Sequence, residues 1–215
     1  LDFVVDDWKW EGYLGAGFTD PFARPRTIRM PENGYLRVAH AWATPSSLAK
    51  IIRFEAERDP DNHQLSTIFY GHPLTDRLFR LPIDVFLHTG FGWHWKSSKQ
   101  DHEQEIVAAI KLYYTIPLPV RFRLGAAEGL SWVTNVPARE EQNLSEKGYN
   151  TSQLLNYLDF SFDVNLGDLT PGDALDKLWL GYYIHHRSAI YKQAQQFGRI
   201  RGGSNFQAVY LQHHF

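Results

Sequence analysis

Apolar and polar side chains alternate every second residue along much of this chain. Between residues 154 and 166, Phe160 and Phe162 occupy one parity, whereas Asp159 and Asp163 occupy the other. Because successive side chains of a β-strand point to opposite faces, this segment is predicted to be a strand with one apolar face and one polar face.

The same pattern predicts further strands on both sides of this one. Strong alternation predicts strands at residues 83–95, 106–116, 122–132, 178–190 and 209–215. Weaker alternation predicts strands at residues 10–19, 35–43, 52–57 and 65–72. The preferred interpretation is a total of ten strands, an even number that returns both termini to one side. Eight strands are the alternative, with the N-terminal pair lying outside the wall.

The polar faces of these strands decide between a water-soluble and a membrane protein. They carry many charges: Asp84, Glu105, Lys111, Arg121, Arg123, Asp159, Asp163 and Arg187. Burying such groups unpaired in a dry core costs several kcal/mol each. The predicted strands are also about 10–14 residues long, as a tilted membrane strand requires. We therefore predict a single all-β domain over residues 1–215, an antiparallel transmembrane β-barrel. A soluble β-sandwich or lipocalin-like barrel is the alternative.

Composition narrows the class further. The mean hydropathy is −0.39, and no apolar run reaches the roughly 20 residues that a membrane-spanning helix needs. The net charge of −2 gives no sign of a nucleic-acid partner. Bacterial barrels have short periplasmic turns and longer outer loops. We therefore expect a barrel in the bacterial outer membrane with both termini in the periplasm and residues 135–153 outside the cell.

Polar side chains on the apolar face are the candidates for chemistry, because they are costly near the middle of a bilayer. Near the predicted outer end they are Glu128, Asn156, His186, Ser188 and Gln207. His186 and Ser188 are two residues apart on one strand, so their side chains point the same way. A serine beside a histidine is the minimal nucleophile and base for acyl transfer, although such a pair also suits ordinary contacts with lipid head groups.

The segment His185-His186-Arg187-Ser188, on the penultimate strand of a barrel that ends in Phe215, resembles the lipid A 3-O-deacylase (PagL-type) family of outer-membrane enzymes. The resemblance covers roughly the last 40 residues. It implies a hydrolase that removes an ester-linked fatty acyl chain from lipid A, with His186 as general base and Ser188 as nucleophile. The resemblance also implies that the partner is lipopolysaccharide of the outer leaflet. The implied reaction needs no cofactor or metal.

A third group must orient the histidine in such a mechanism. No Asp or Glu follows Asp176, so Glu128 is the candidate acid, two strands away from the histidine, and Gln207 is a nearer uncharged candidate. Asn156, Gln207 or Asn205 would supply hydrogen bonds to the oxyanion.

Basic residues near the predicted outer rim are candidates for binding the phosphates of lipopolysaccharide. They are Arg187, Arg199 and Arg201. Two other functions stay open at this point. One is a non-catalytic barrel that acts as a structural or interaction protein through residues 135–153, and the other is a narrow pore.

Overall fold

Eight antiparallel strands close into one barrel, with the first strand paired to the last. The computed structural model describes residues 34–53, 55–138, 140–141, 152–188 and 203–215. The strands are β1 (Tyr35–Thr44), β2 (Gln64–Thr75), β3 (Ile83–His94), β4 (Glu103–Ile116), β5 (Phe122–Val133), β6 (Leu154–Asn165), β7 (Leu178–Ser188) and β8 (Asn205–His214). A short helix, α1 (Leu48–Ile52), lies between β1 and β2.

The preference for ten strands was wrong, because β1 closes the barrel directly against β2 and β8. The predicted strand at 52–57 is replaced by α1 and a loop. Side chains satisfy the loop backbone there: Ser46 Oγ accepts from Glu57 N at 2.9 Å, and Thr44 Oγ1 donates to Glu57 O at 2.7 Å. No strand ladder is needed to pair these groups. The predicted strand at 10–19 lies outside the described residues.

The two ends of the barrel differ in the length of their connections. Residues 76–82, 117–121 and 166–177 join strands at one end. At the other end the connections are 45–63, 95–102, 134–153 and 189–204, and three of these four are longer than any connection at the first end. Tyr35 and His214 are register partners, so the wall begins and ends at the end with short connections. Which end faces the periplasm stays a prediction. Within the described ranges, no helix combines the length and apolarity needed to cross a membrane.

The alternation predicted from sequence sorts side chains between the interior and the exterior of the barrel. Arg37, Lys111 and Asp159 are fully buried inside. The exposed exterior carries large apolar side chains from all eight strands, such as Val38, Ile68, Leu87, Ile110, Leu124, Phe160, Leu180 and Leu211. A charged interior within an apolar exterior is the reverse of a water-soluble fold and is typical of transmembrane barrels.

Ion pairs hold the interior together. Asp159 accepts from Arg37 Nη1 at 2.9 Å and from Lys111 Nζ at 2.6 Å, and both contacts are fully buried. Arg123 pairs with Asp163 at 2.6 Å, and this contact is buried too. Arg121 does not join them, because it binds Asp168 in the connection after β6. These side chains and the tyrosines around them fill the middle of the barrel.

Asp159 is the residue on which we expect this network to depend most. Asp159→Asn removes the negative charge shared by Arg37 and Lys111 and leaves buried cations uncompensated, which costs about 3–5 kcal/mol. Urea unfolding of the barrel in detergent micelles measures the loss. The matched control is Asp101→Asn, which breaks the exposed pair with Lys96 and is expected to change little. Equal stabilities of the two variants would contradict the central role of Asp159.

Candidate functional site

The predicted serine and histidine lie on the outside of the barrel, at the end with the long connections. His186 and Ser188 follow the exterior parity of β7, and both are half-buried. The residues between and before them, Arg187 and His185, are fully buried inside the barrel. Across the neighbouring strands, His186 is the register partner of Leu158 and Asn205.

The side chain that touches the imidazole is Asn205, the first residue of β8. Its Oδ1 lies 2.5 Å from His186 Nδ1, and its Nδ2 donates to Ser46 O at 2.8 Å. The Ser46 carbonyl can only accept a hydrogen bond. The Asn205 amide must therefore point its nitrogen toward Ser46 and its oxygen toward the His186 ring. His186 must then carry its proton on Nδ1, which leaves Nε2 with a free lone pair.

This tautomer is the one that a general base requires. A neutral imidazole with its proton on Nδ1 accepts a proton at Nε2 from a nucleophile on the other side of the ring. Ser188 is the next outward-facing residue of β7 after His186, and its register partner on β6 is Asn156. Among the residues that the structure describes, Ser188 Oγ has no hydrogen-bond partner.

The two residues predicted to orient the histidine do not contact it. Glu128 is exposed, and Leu158 lies between it and His186 in the row of register partners. Two strand spacings separate them by about 9–10 Å. Gln207 is nearer, but its Oε1 accepts from Tyr182 OH at 2.9 Å. Sequence reasoning considered Asn205 only for the oxyanion, although it shares the exterior parity of Gln207 on the same strand.

Arg187 is buried in the mouth of the barrel, where lipid phosphate does not reach its guanidinium. Its Nη2 donates to Gln153 O at 3.1 Å, and its Nε lies 3.7 Å from Glu140 Oε1. Glu140, in the connection after β5, also accepts from Ser204 Oγ at 2.6 Å. Burial raises the pKa of Glu140, against the opposing effects of Arg187 and Ser204. Arg199 and Arg201, the other predicted phosphate ligands, lie outside the described residues.

Three side chains in the connection between β1 and β2 could hold a metal ion. Asp59, Asp61 and His63 each offer a ligand atom, and these atoms lie within 4.8 Å of one another. The structure also shows other partners for them. His63 Nδ1 lies 2.7 Å from Asp59 Oδ2, and Asp61 pairs with Lys99 at 3.1 Å. Hydrogen bonds and a lysine therefore already balance these carboxylates.

Comparison with known proteins identifies the fold. No protein-family model and no curated protein matches the chain. Among solved structures, it is similar to the outer membrane enzyme PagL, with a TM-score of 0.56 and 9% identity over 83% of this chain and 99% of the other. It is also similar to Neisserial surface protein A, with a TM-score of 0.45 and 15% identity over 85% of this chain and 97% of the other. At these identities the likeness is one of fold.

The hydrogen bond from His186 to Asn205 makes a prediction that needs no substrate. In ¹⁵N spectra of the protein in micelles at neutral pH, the His186 ring should be protonated at Nδ1 and free at Nε2. Asn205→Ala should shift it toward the mixture of tautomers of a free imidazole, because the acceptor is lost. Asn156→Ala is the control and should leave the ring unchanged. A mixed tautomer in the unsubstituted protein would contradict the assigned hydrogen bond.

Proposed function

We propose that this protein is a bacterial outer-membrane hydrolase that removes an ester-linked fatty acyl chain from lipid A, with Ser188 as nucleophile and His186 as base. The observation that carries the proposal is the oriented imidazole on the apolar exterior, next to a serine whose hydroxyl has no hydrogen-bond partner among the described residues. The apolar outer surface around a charged interior supports the location in a membrane. The fold shared with PagL, described as an outer membrane enzyme, supports it further.

The reaction begins when an ester of a membrane lipid approaches the wall from the outer leaflet. His186 Nε2 takes the proton of Ser188 Oγ as the oxygen attacks the ester carbonyl. Asn156, opposite Ser188, supplies an amide that can donate to the developing oxyanion. The imidazolium then protonates the leaving alcohol, and interfacial water releases the fatty acid from the acyl-enzyme.

Asn205 takes the place that a carboxylate has in most serine hydrolases. Replacing the aspartate of a Ser-His-Asp triad by asparagine costs about 10⁴ in rate, because the amide nitrogen selects the wrong histidine tautomer. Here Ser46 O holds that nitrogen, so the amide oxygen faces His186 and the productive tautomer is retained. Asn205 adds no charge to stabilise the imidazolium, so we expect an enzyme slower than one with a full triad.

A non-catalytic barrel is the second candidate. It is favoured by the absence of a hydrogen bond between Ser188 and His186, and of a carboxylate contacting His186, in the described part of the chain. A structural or interaction protein would work through its long connections, whereas a pore is opposed by the ion pairs that fill the barrel interior.

Mass spectrometry of lipid A from cells with and without the protein separates these functions. Expression of the unsubstituted protein should remove one acyl chain, and Ser188→Ala or His186→Ala should lower acyl release at least about a thousandfold. Both variants should keep the folded barrel. An unchanged lipid A pattern with the unsubstituted protein would exclude the hydrolase and leave the non-catalytic barrel.

A second comparison tests which side chain orients the histidine. Asn205→Ala should lower the rate of acyl release, because it removes the acceptor that holds the His186 proton on Nδ1. Glu128→Gln should have little effect at two strand spacings from the ring. The reverse result, with Glu128 essential and Asn205 dispensable, would contradict the assignment.

A further inference from the structure

A second serine–histidine pair lies on the exterior of the barrel, on β1 and β2. Ser66 Oγ is 3.0 Å from His40 Nδ1, and the two residues are register partners on the paired strands. Both follow the exterior parity of their strands, and both are half-buried. In the closed barrel β2 is three strand positions from β7, which separates this pair from Ser188 by about 14 Å at normal strand spacing. The two serines therefore belong to different places on the wall.

The hydrogen bonds around Ser66 give its proton a direction. Trp95 Nε1 donates to Ser66 Oγ at 2.9 Å, because an indole N–H can only donate. For the hydroxyl proton, the residues that the structure describes offer one acceptor within reach, His40 Nδ1. If Nδ1 carried a proton instead, the serine proton would be left unpaired on the lipid-facing wall, which is costly. We therefore assign Ser66 as the donor and His40 Nδ1 as the acceptor.

Gln64 and Trp42 orient the imidazole of His40. Gln64 Oε1 lies 3.2 Å from His40 Nε2, so the ring nitrogen that carries the proton donates to the amide oxygen. The Trp42 ring contacts the imidazole edge-on, with 4.8 Å between ring centroids and 86° between ring planes. Nucleophilic catalysis by serine requires a hydroxyl in hydrogen-bond contact with a base, and a third group that orients the base. Ser66, His40 and Gln64 meet both conditions.

The pair lies between an exposed apolar surface and two exposed tryptophans. Toward the end with short connections, the next outward register partners are Val38 and Ile68, which are 47% and 45% exposed. Toward the end with long connections lie Trp42 and Trp95, which are 43% and 44% exposed. Tryptophans on a membrane protein favour the level of the lipid head groups, and the hydrocarbon begins beside that level. A serine at this boundary meets the esters that join acyl chains to the head groups of membrane lipids.

We propose that Ser66, His40 and Gln64 form a second acyl-ester site, which takes long-chain acyl esters of membrane lipids. Ser66 is the nucleophile, His40 is the base, and Gln64 is a positioning residue that holds the base. The acyl chain lies over the exposed apolar surface of β1 and β2, and the head group lies beside the two tryptophans. The site shares no residue with the serine–histidine site on β7 and β8.

The reaction at this site is acyl transfer to serine followed by hydrolysis. Ser66 Oγ attacks the ester carbonyl, and its proton passes to His40 Nδ1. Trp95 Nε1, which is already bonded to Oγ, can turn its N–H to the oxyanion on the same carbon. The bond from the carbonyl carbon to the head-group oxygen then breaks, and the imidazolium returns the proton to the leaving alcohol. Water, activated by the neutral His40, hydrolyses the acyl-enzyme and releases the fatty acid.

The test is covalent labelling with a long-chain alkyl fluorophosphonate, a probe for serines that a neighbouring base activates. The serine oxygen displaces fluoride from phosphorus, and the serine proton goes to the base. The purified barrel in micelles is treated with the probe, and labelled peptides are quantified by mass spectrometry. We expect Ser66 to be labelled at least about tenfold more than Ser97 and Ser152. These two serines lie at the same end of the barrel, and their hydroxyls bind backbone groups.

Variants of the pair show whether the base is responsible. His40→Ala should lower the labelling of Ser66 at least about tenfold, because the proton acceptor is lost. The matched control is His72→Ala, which removes an exterior histidine of β2 that contacts Tyr70. It should leave the labelling of Ser66 unchanged. Gln64→Ala should also lower the labelling, and Gln64→Glu should restore most of it, because a carboxylate accepts from Nε2 as well. The Gln64 variants keep the proposal testable where His40→Ala does not fold.

Two labelling results would overturn the proposal. One is labelling of Ser66 no stronger than that of Ser97 and Ser152. The other is labelling of Ser66 that His40→Ala and Gln64→Ala both leave unchanged.

Turnover separates this site from the proposed function. In the Ser188→Ala variant, residual acyl release is measured with phosphatidylethanolamine and with lipid A as separate substrates, and adding Ser66→Ala should abolish it. The lipid that shows this loss supplies the ester. No residual release with either lipid, or release that Ser66→Ala does not reduce, would overturn the proposal. If Ser188→Ala releases acyl chains from lipid A as fast as the unsubstituted protein and Ser66→Ala stops that release, the proposed role of Ser188 alone fails.

Discussion

The shared contact of Asp159 with Arg37 and Lys111 is the interaction on which the rest of this structure depends. The wall presents its apolar side chains outward, so the polar side chains must be satisfied within a narrow interior. One carboxylate there compensates two cations, and Arg123 with Asp163 forms a further buried ion pair nearer the end with short connections. The charges compensate one another across strands, and the ion pairs and the tyrosines around them fill the middle of the barrel.

Asn205 connects this scaffold to the candidate site. It stands where β8 begins, bonded on one side to the carbonyl of Ser46 and on the other to the ring of His186. A neutral amide performs only one of the two tasks of a triad carboxylate, since it selects the tautomer and adds no charge. For the proposed hydrolase we therefore expect a slow reaction, because Asn205 adds no charge that would stabilise the imidazolium.

Alternation along the sequence was sufficient to predict which side chains of the barrel wall face inward or outward. It was not sufficient to predict the contacts between side chains. It correctly separated Phe160 and Phe162 outside from Asp159 and Asp163 inside, because parity depends only on the strand itself. It failed at residues 52–57, where Ser46 and Thr44 satisfy a loop that has a strand-like pattern. It also missed the role of Asn205, since that contact depends on the register between β7 and β8. Periodicity within one strand contains no information about register.

The position of Arg187 between His186 and Ser188 has a consequence for how firmly β7 is aligned. A slip of a single residue against its neighbours would send the guanidinium into hydrocarbon and turn the imidazole and the hydroxyl toward the ion pairs of the interior. That misalignment would strand a charge in lipid and separate Glu140 from its cation, so it is strongly disfavoured. Arg187 points inward between two outward polar residues. It thus fixes the register of β7 and keeps His186 and Ser188 facing the membrane.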